Sequence, residues 1–284
     1  SHNPPHDNGY KVYFEDGAQV VYPHAEGIIH EVYQVGMEAT PDHLEIDLEG
    51  VSRLGEEEDA AYREALRENL LDPEIFRNSA PKIVFSPIHG TGGITVVPAL
   101  AEFGLKVETV ASQMEQDGRF PTVKSPNPEN AEALSMAIEQ ALASKADLVM
   151  ATDPDADRMG VAVRDEQGGM ALLTGNMIGS LLAAFRVEKM KDAGLLPREG
   201  TRRAALVKTF VTTPLQDAIG EKNGLKVVNT LTGFKWIGEK LRHYEEALGE
   251  ALEVGGHTVD YDTLPLDERR RLLLEHSTFY VFGG

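Results

Sequence analysis

The sequence predicts an α/β protein: two similar αβα-layered domains with mixed sheets in tandem, after a short opening stretch. Three observations carry this. Apolar runs of strand length alternate with stretches of helical periodicity from residue 82 onward, the pattern of layered α/β domains. Gly104-Leu105-Lys106-Val107 recurs as Gly224-Leu225-Lys226-Val227, each after a helical stretch that itself follows an apolar strand. The offset of 120 residues is that of a domain, not of a solenoid repeat. The first 54 residues show no such alternation, so the expected division is 1–54, 55–165 and 166–284, with a cleft between the two similar domains.

In chain order, residues 1–11 form a turn-rich opening with two prolines, two asparagines and a glycine. Short strands are expected at 10–14 and 18–22 around a Glu15-Asp16-Gly17 turn, and a short helix at 25–34. Residues 54–59 are an acidic linker, and 59–71 an amphipathic helix with Ala61, Ala65 and Leu66 on its inner face, ending near Asp72-Pro73. A strand at 82–85 leads through the glycine-rich turn 86–93 into a helix that runs to about Phe103, with Pro98 near its start. The turn has neither the Gly-x-Gly-x-x-Gly spacing of a dinucleotide site nor the Gly-Lys-Thr/Ser of a P-loop. A tight turn with close backbone packing accounts for it better than cofactor binding. His89 on that turn could orient a neighbour.

The remaining expectations are a strand at 105–110, a three-proline loop at 111–129, a helix at 130–144 and strands at 146–150 and 159–163. A 165–169 hairpin follows, then a helix at 176–191, a strand at 204–210, a helix from Thr212-Thr213-Pro214 closing at Gly224, and a strand at 225–229. The last helix opens near residue 230 and runs to about Ala247. Residues 267–276 read as a charged helix, and 278–282 as a strand.

Composition narrows the function classes. The formal charge of −19 argues against a nucleic-acid partner, which needs clustered Lys and Arg. With no cysteine there is no disulfide framework and no zinc–thiolate site, which fits a reducing compartment such as the cytoplasm. No stretch of about 18 apolar residues is present to span a membrane. A phosphate site in so acidic a chain must be built from local cations, helix N-termini and metal.

The chemistry concentrates in Asp153-Pro154-Asp155-Ala156-Asp157-Arg158, between two apolar runs. Carboxylates at i, i+2 and i+4 of an extended segment point one way, and Pro154 turns Asp153 away from helical geometry. Three hard oxygen donors suit Mg²⁺, and Arg158 adds a fork for phosphate oxygens. An EF-hand loop beginning at Asp153 would need Gly and Glu where Arg158 and Arg164 stand. A haloacid-dehalogenase phosphatase would need Asp-x-Asp-Thr/Val, which Asp155-Ala156-Asp157-Arg158 does not supply. A solvated acidic turn stays open at this point. So do a frayed end or a purification-tag leftover for Ser1-His2-Asn3-Pro4.

Four stretches, in order, resemble one family. Ser1-His2-Asn3-Pro4 with Asn8-Gly9-Tyr10-Lys11 resembles the phosphoserine loop of the α-D-phosphohexomutases, the phosphoglucomutase/phosphomannomutase family. Ser86 to Gly93 is similar to the second-domain turn of its phosphoglucomutase branch, and Asp153-x-Asp155-x-Asp157-Arg158 to its magnesium loop. Thr232-Gly233-Phe234-Lys235 is similar to its sugar-recognition loop.

The resemblance implies a reversible two-step phosphoryl transfer on a phosphorylated sugar, with glucose 1,6-bisphosphate as primer and intermediate. Ser1 would carry the phosphate and complete the Mg²⁺ shell of Asp153, Asp155 and Asp157. His2 and Asn3 would orient Ser1, and Lys11 would serve as general acid/base, its pKa lowered by burial. Arg158 and Lys208 would offset the phosphate charge, though each lysine could equally be a solvated surface charge. Thr232, Gly233, Phe234 and Lys235 would hold the sugar. Phe234, where phosphomannomutases carry histidine, leans toward glucose or a pentose. A hexose 1-phosphate/6-phosphate mutase is therefore the first reading, with a phosphopentomutase next and a non-catalytic metal- or phosphate-binding module as the alternative of another class. Relatives have four domains. The resemblance thus implies a piece without most of the first domain, the end of the third and the fourth, with little mutase activity of its own.

Overall fold

A computed structural model describes residues 2–7, 9–14, 17–35, 48–196, 204–254, 264–265, 268, 271–272 and 279–282. The chain divides into two compact α/β units. One comprises Ser1–Gly9 with Glu57–Leu182, the other Tyr10–Glu56 with Ala183–Gly284.

The first unit is built on a five-stranded mixed sheet in the order β2-β1-β3-β4-β5. Its strands are β1 (Lys82–Ser86), β2 (Lys106–Thr109), β3 (Leu148–Thr152), β4 (Met159–Arg164) and β5 (Met170–Leu173). β1 runs parallel to β2 and β3, and β4 returns antiparallel beside β3 with Thr152 opposite Met159. The parallel strands need helical crossovers. α4 (Gly92–Glu102) joins β1 to β2, and α5 (Ala131–Ser144) joins β2 to β3.

The small residues Ala133, Ala137 and Ala141 of α5, with Leu134, are fully buried, and they form one core with Val84, Val149, Ala151 and Ala162 of the sheet. Alanines at helical spacing let the helix axis sit close to the sheet. Lys145, at φ 56°, closes α5 in the left-handed conformation. α2 (Glu56–Glu68) and the short α3 (Ile75–Asn78) precede β1.

In the second unit, β6 (Ala204–Thr209) lies between β7 (Lys226–Thr230) and β8 (Phe279–Phe282), all parallel. Every residue of β6 is buried, which is why Ala204 to Val207 read as a continuous apolar run rather than an alternation. α7 (Leu215–Lys222) connects β6 to β7, and α8 (Phe234–Val254) leads away from β7. The order β7-β6-β8 repeats β2-β1-β3, so the sequence repeat is a repeat of topology. α6 (Gly175–Asp192) contains the boundary between the units, and α1 (His24–Val35) forms over the helix expected at 25–34.

Several expectations need correction. The strands at 10–14 and 18–22 reduce to one antiparallel bridge, Tyr13 with Gln19, closed by Phe14 N–H donating to Ala18 O. Among the described residues no third strand extends the ladder of so short a ribbon. On α2, Ala61 and Ala65 are exposed and Leu66 only half-buried, so its sequence amphipathicity finds no core among the described residues. Pro98 lies inside α4, not near its start. There it removes a helical N–H and crowds the carbonyl four residues earlier. α8 continues to Val254, past Ala247. The 267–276 helix falls largely outside the described residues.

Candidate metal centre

The acidic segment is the loop of the β3–β4 hairpin, at the carboxyl end of β3, where α/β sheets place ligands. It is not extended as expected. It turns on Ala156, whose φ is +58°, and closes with Asp153 N–H donating to Arg158 O at 3.3 Å and Ala156 N–H to Asp153 O at 2.9 Å. The turn, rather than strand alternation, brings the carboxylates together: oxygens of Asp153, Asp155 and Asp157 lie within 4.8 Å of one another.

Their environments differ. Asp153 is fully buried, while Asp155, Asp157 and Arg158 are exposed. Asp153 Oδ1 accepts the Arg158 N–H at 2.9 Å, and Oδ2 is buried with no hydrogen-bond partner among the described residues. Burial first, and then the neighbouring Asp155 and Asp157 carboxylates, push the Asp153 carboxyl up to about 6, against the pull of the Arg158 N–H.

An orphaned buried carboxylate oxygen is costly unless something satisfies it. Oxygens sharing one octahedral Mg²⁺ stand up to about 4.2 Å apart, a separation that small side-chain rotations would reach here. The donor set is all hard oxygen. These residues fit a divalent cation.

The glycine-rich turn between β1 and α4, more than 60 residues earlier in the chain, packs against the loop on both sides of Asp153. A Cβ on Gly90 would stand 2.2 Å from Pro154 Cα, and one on Gly92 would stand 2.3 Å from Thr152 Oγ1. The turn thus packs on both residues that flank Asp153. Thr91 donates its backbone N–H (2.8 Å) and its hydroxyl (3.0 Å) to Pro154 O. The backbone-packing interpretation of this turn holds, and its target is the acidic loop.

His89 is a structural histidine. Its Nδ1 lies 3.0 Å from Glu115 O and its Nε2 2.9 Å from Thr122 Oγ1. A carbonyl can only accept, so Nδ1 carries the proton and Nε2 accepts from Thr122. Thr122 in turn accepts from Gln113 Nε2 (2.9 Å), and Gln113 Oε1 accepts the Ser86 hydroxyl (2.6 Å). Sequence reasoning missed Gln113 and Thr122. The three-proline loop was visible, but nothing in it marked these side chains as turn supports.

The other expected site residues are distributed as follows. Ser1 lies outside the described residues. His2 is half-buried in the first unit and its backbone carbonyl accepts from Ser125 Oγ at 3.4 Å. Its imidazole is held below its ordinary pKa by burial and then by Arg158, while Asp157 and Asp155 act the other way. Asn3 is exposed.

Lys11 belongs to the second unit and is exposed, so the burial expected of it as a general acid/base is not found. Lys208 is only 3% exposed, so the solvated-charge alternative fails for it. Its ammonium pairs with Asp217 at 3.0 Å and donates to Thr212 O at 3.2 Å. Thr232, Gly233 and Phe234 are exposed beyond β7, and Gly233 has φ +125°. Lys235 Nζ lies 4.8 Å from the centre of the Trp236 ring, within cation–π range.

The chain is similar to known proteins of one family. Residues 60–168 match the alpha/beta/alpha domain II of phosphoglucomutase/phosphomannomutase, and residues 174–264 match domain III. A human phosphopentomutase is 34% identical over 266 residues, covering 88% of this chain and 43% of that protein. A Saccharomyces cerevisiae phosphoribomutase is 34% identical over 289 residues (92% and 46%), and a Staphylococcus aureus phosphoglucomutase 31% over 261 residues (87% and 43%). The chain therefore spans about half the length of these relatives. A crystal structure from Thermus thermophilus shares the fold with a TM-score of 0.58 at 24% identity, covering 85% of this chain and 49% of that one. No described helix is long and apolar enough to cross a membrane.

Proposed function

The chain belongs to the phosphoglucomutase/phosphomannomutase family, and on that basis we propose that it carries the metal and sugar-recognition parts of a phosphosugar mutase. The observation that carries this is the convergence of Asp153, Asp155 and Asp157 around a buried, unsatisfied carboxylate oxygen. In this reading residues 1–54 derive from the first family domain, 55–165 are the second and 166–284 the third.

Asp153, Asp155 and Asp157 would hold Mg²⁺, which when bound neutralises charge on the transferring phosphoryl group. Ser1 would carry that phosphoryl group and present an oxygen to the same site. His2 and Asn3 orient Ser1. Arg158, adjacent to the carboxylates, offsets part of the charge that three carboxylates and a phosphate bring together. Lys11 moves the proton of the reacting hydroxyl, and Lys208 supplies a further cation. Thr232, Gly233, Phe234 and Lys235 hold the sugar or its distal phosphate. Glucose 1,6-bisphosphate serves as primer. The compartment is cytoplasmic and the partner is the phosphorylated sugar, with no nucleic acid.

The first substrate is a hexose phosphate, glucose before mannose, because Phe234 stands where phosphomannomutases carry histidine. A pentose phosphate is the second reading, favoured by the similarity to a phosphopentomutase and a phosphoribomutase.

Mn²⁺ titration by calorimetry tests the metal site. One site is expected, lost in Asp155→Asn, and unchanged binding in that variant would remove the basis of the reading. ³¹P NMR of glucose, mannose and ribose 1-phosphates with Mg²⁺ and glucose 1,6-bisphosphate then identifies the sugar. Conversion excludes the non-catalytic, metal- and phosphate-binding alternative, whereas its absence is what either reading expects of a chain that spans about half the length of its relatives.

A further inference from the structure

We infer that the glycine-rich turn is the positioning device of the acidic loop, and that Thr91 is the positioning residue through which it acts. The inference rests on reading Asp153, Asp155 and Asp157 as a metal site.

Three observations combine. The first is where the turn touches. Pro154 stands between Asp153 and Asp155 in the chain, and both hydrogen bonds from Thr91 end on its carbonyl, at 2.8 Å and 3.0 Å. With two donors from one residue, that peptide plane has a defined orientation. The Cα atoms of Pro154 and Asp155 lie in that plane, and Asp153 is joined to it through the restricted φ of Pro154.

The second is that the contact admits no substitute packing. Gly90 lies against the Pro154 backbone and Gly92 against Thr152 Oγ1, so the turn is clasped to the residues before and after Asp153. Any shift of the turn moves Asp153.

The third is that the turn is itself held in an unfavourable conformation. Ile88 (φ 46°) and His89 (φ 61°) are consecutive left-handed residues, and for a β-branched side chain that is an outlier. Such strain persists only where surrounding contacts over-determine it. Here they do: His89 N–H donates to Gln113 O at 2.9 Å, Asp117 N–H donates to His89 O at 3.2 Å, and Ile88 N–H donates to Ser86 Oγ at 3.1 Å. The Ser86–Gln113–Thr122–His89 chain closes the ring of bonds. A turn built only to reverse the chain needs none of this, since glycine would adopt the same angles without strain. Carboxylates that ligate a metal are commonly aimed by such outer contacts, whose loss costs about 10–100-fold in affinity.

The experiment compares wild type, Thr91→Val, Thr91→Ser and Asp155→Asn, by Mn²⁺ calorimetry well below the melting transition and by thermal unfolding in EDTA. Valine keeps the backbone N–H and the shape but removes the hydroxyl, and serine restores it. The expected result is Mn²⁺ binding about tenfold weaker in Thr91→Val, recovery in Thr91→Ser, and similar melting temperatures in EDTA for all three Thr91 forms. Wild-type affinity in Thr91→Val, with binding still lost in Asp155→Asn, overturns the inference and leaves the metal site standing. Weakened binding that serine does not recover also overturns it. Absence of Mn²⁺ binding in wild type overturns the metal site and the inference together.

Discussion

Asp153 and Arg158 are joined twice across the acidic loop: the Arg158 N–H donates to Asp153 Oδ1 at 2.9 Å, and the Asp153 N–H donates to Arg158 O at 3.3 Å. The pair closes the loop and fixes one carboxylate oxygen, and it leaves Oδ2 buried without a partner among the described residues. A carboxylate half-satisfied in this way is held ready for a cation and is a liability to the fold without one.

Replacing Asp153 by Asn separates those two effects. Asn retains an acceptor for the Arg158 N–H but carries no charge. In EDTA at about pH 7.5 the Asp153→Asn protein is expected to melt no lower than wild type, because burial holds the Asp153 carboxyl near 6 and its ionised form opposes folding. The same variant should lose more than about tenfold in Mn²⁺ affinity. A melting temperature several degrees below wild type would show that the carboxylate stabilises the metal-free fold.

The pH dependence has a defined sign. The folded pKa of Asp153 is raised, from 3.8 to about 6. Its contribution to metal-free stability is therefore fully present below pH 3.8 and is lost as pH rises through about 6. A cation competes with that proton. Mn²⁺ affinity should fall as pH drops below about 6, with proton release to buffer on binding near that pH, read by calorimetry in buffers of different ionisation enthalpy. Asp153→Asn should abolish the proton release.

A double-mutant cycle tests the clasp at Gly92. Gly92→Ala puts a methyl group 2.3 Å from Thr152 Oγ1 and should destabilise by about 1–3 kcal/mol. Thr152→Ala removes a buried hydroxyl that has no partner among the described residues, so its own cost should be small. The double variant should recover most of the loss, a coupling readable by urea unfolding. Additive losses would mean that the crowding lies elsewhere.

The Lys208–Asp217 pair predicts an asymmetry. Lys208 is buried, whereas the Asp217 side chain retains 31% exposure. Asp217→Asn strands a buried ammonium and should cost about 3–5 kcal/mol. Lys208→Met leaves a carboxylate that water can reach, and it should cost less. Denaturant unfolding of the two variants decides this, and equal losses would argue against an uncompensated charge as the cause.

The acidic motif, its place after β3 and the paired topology of the two units were legible because they depend on residues close in sequence. The burial of Asp153 and the support from Gln113 and Thr122 were not. A buried carboxylate and a surface carboxylate look the same in a string of letters. Lys208 shows the same limit from the other side: the string allowed a solvated charge, and packing made it a buried one.

The α/β class, the strand–helix alternation, the repeat and the three candidate ligands follow from near neighbours in the chain, where periodicity and turn chemistry are written. Which of the three carboxylates is desolvated depends on the folded packing around the loop. Around Asp153, Gly90 and Gly92 meet Pro154 and Thr152 across roughly 60 residues of chain. Desolvation and crowding depend on contacts in space, and no local pattern records them.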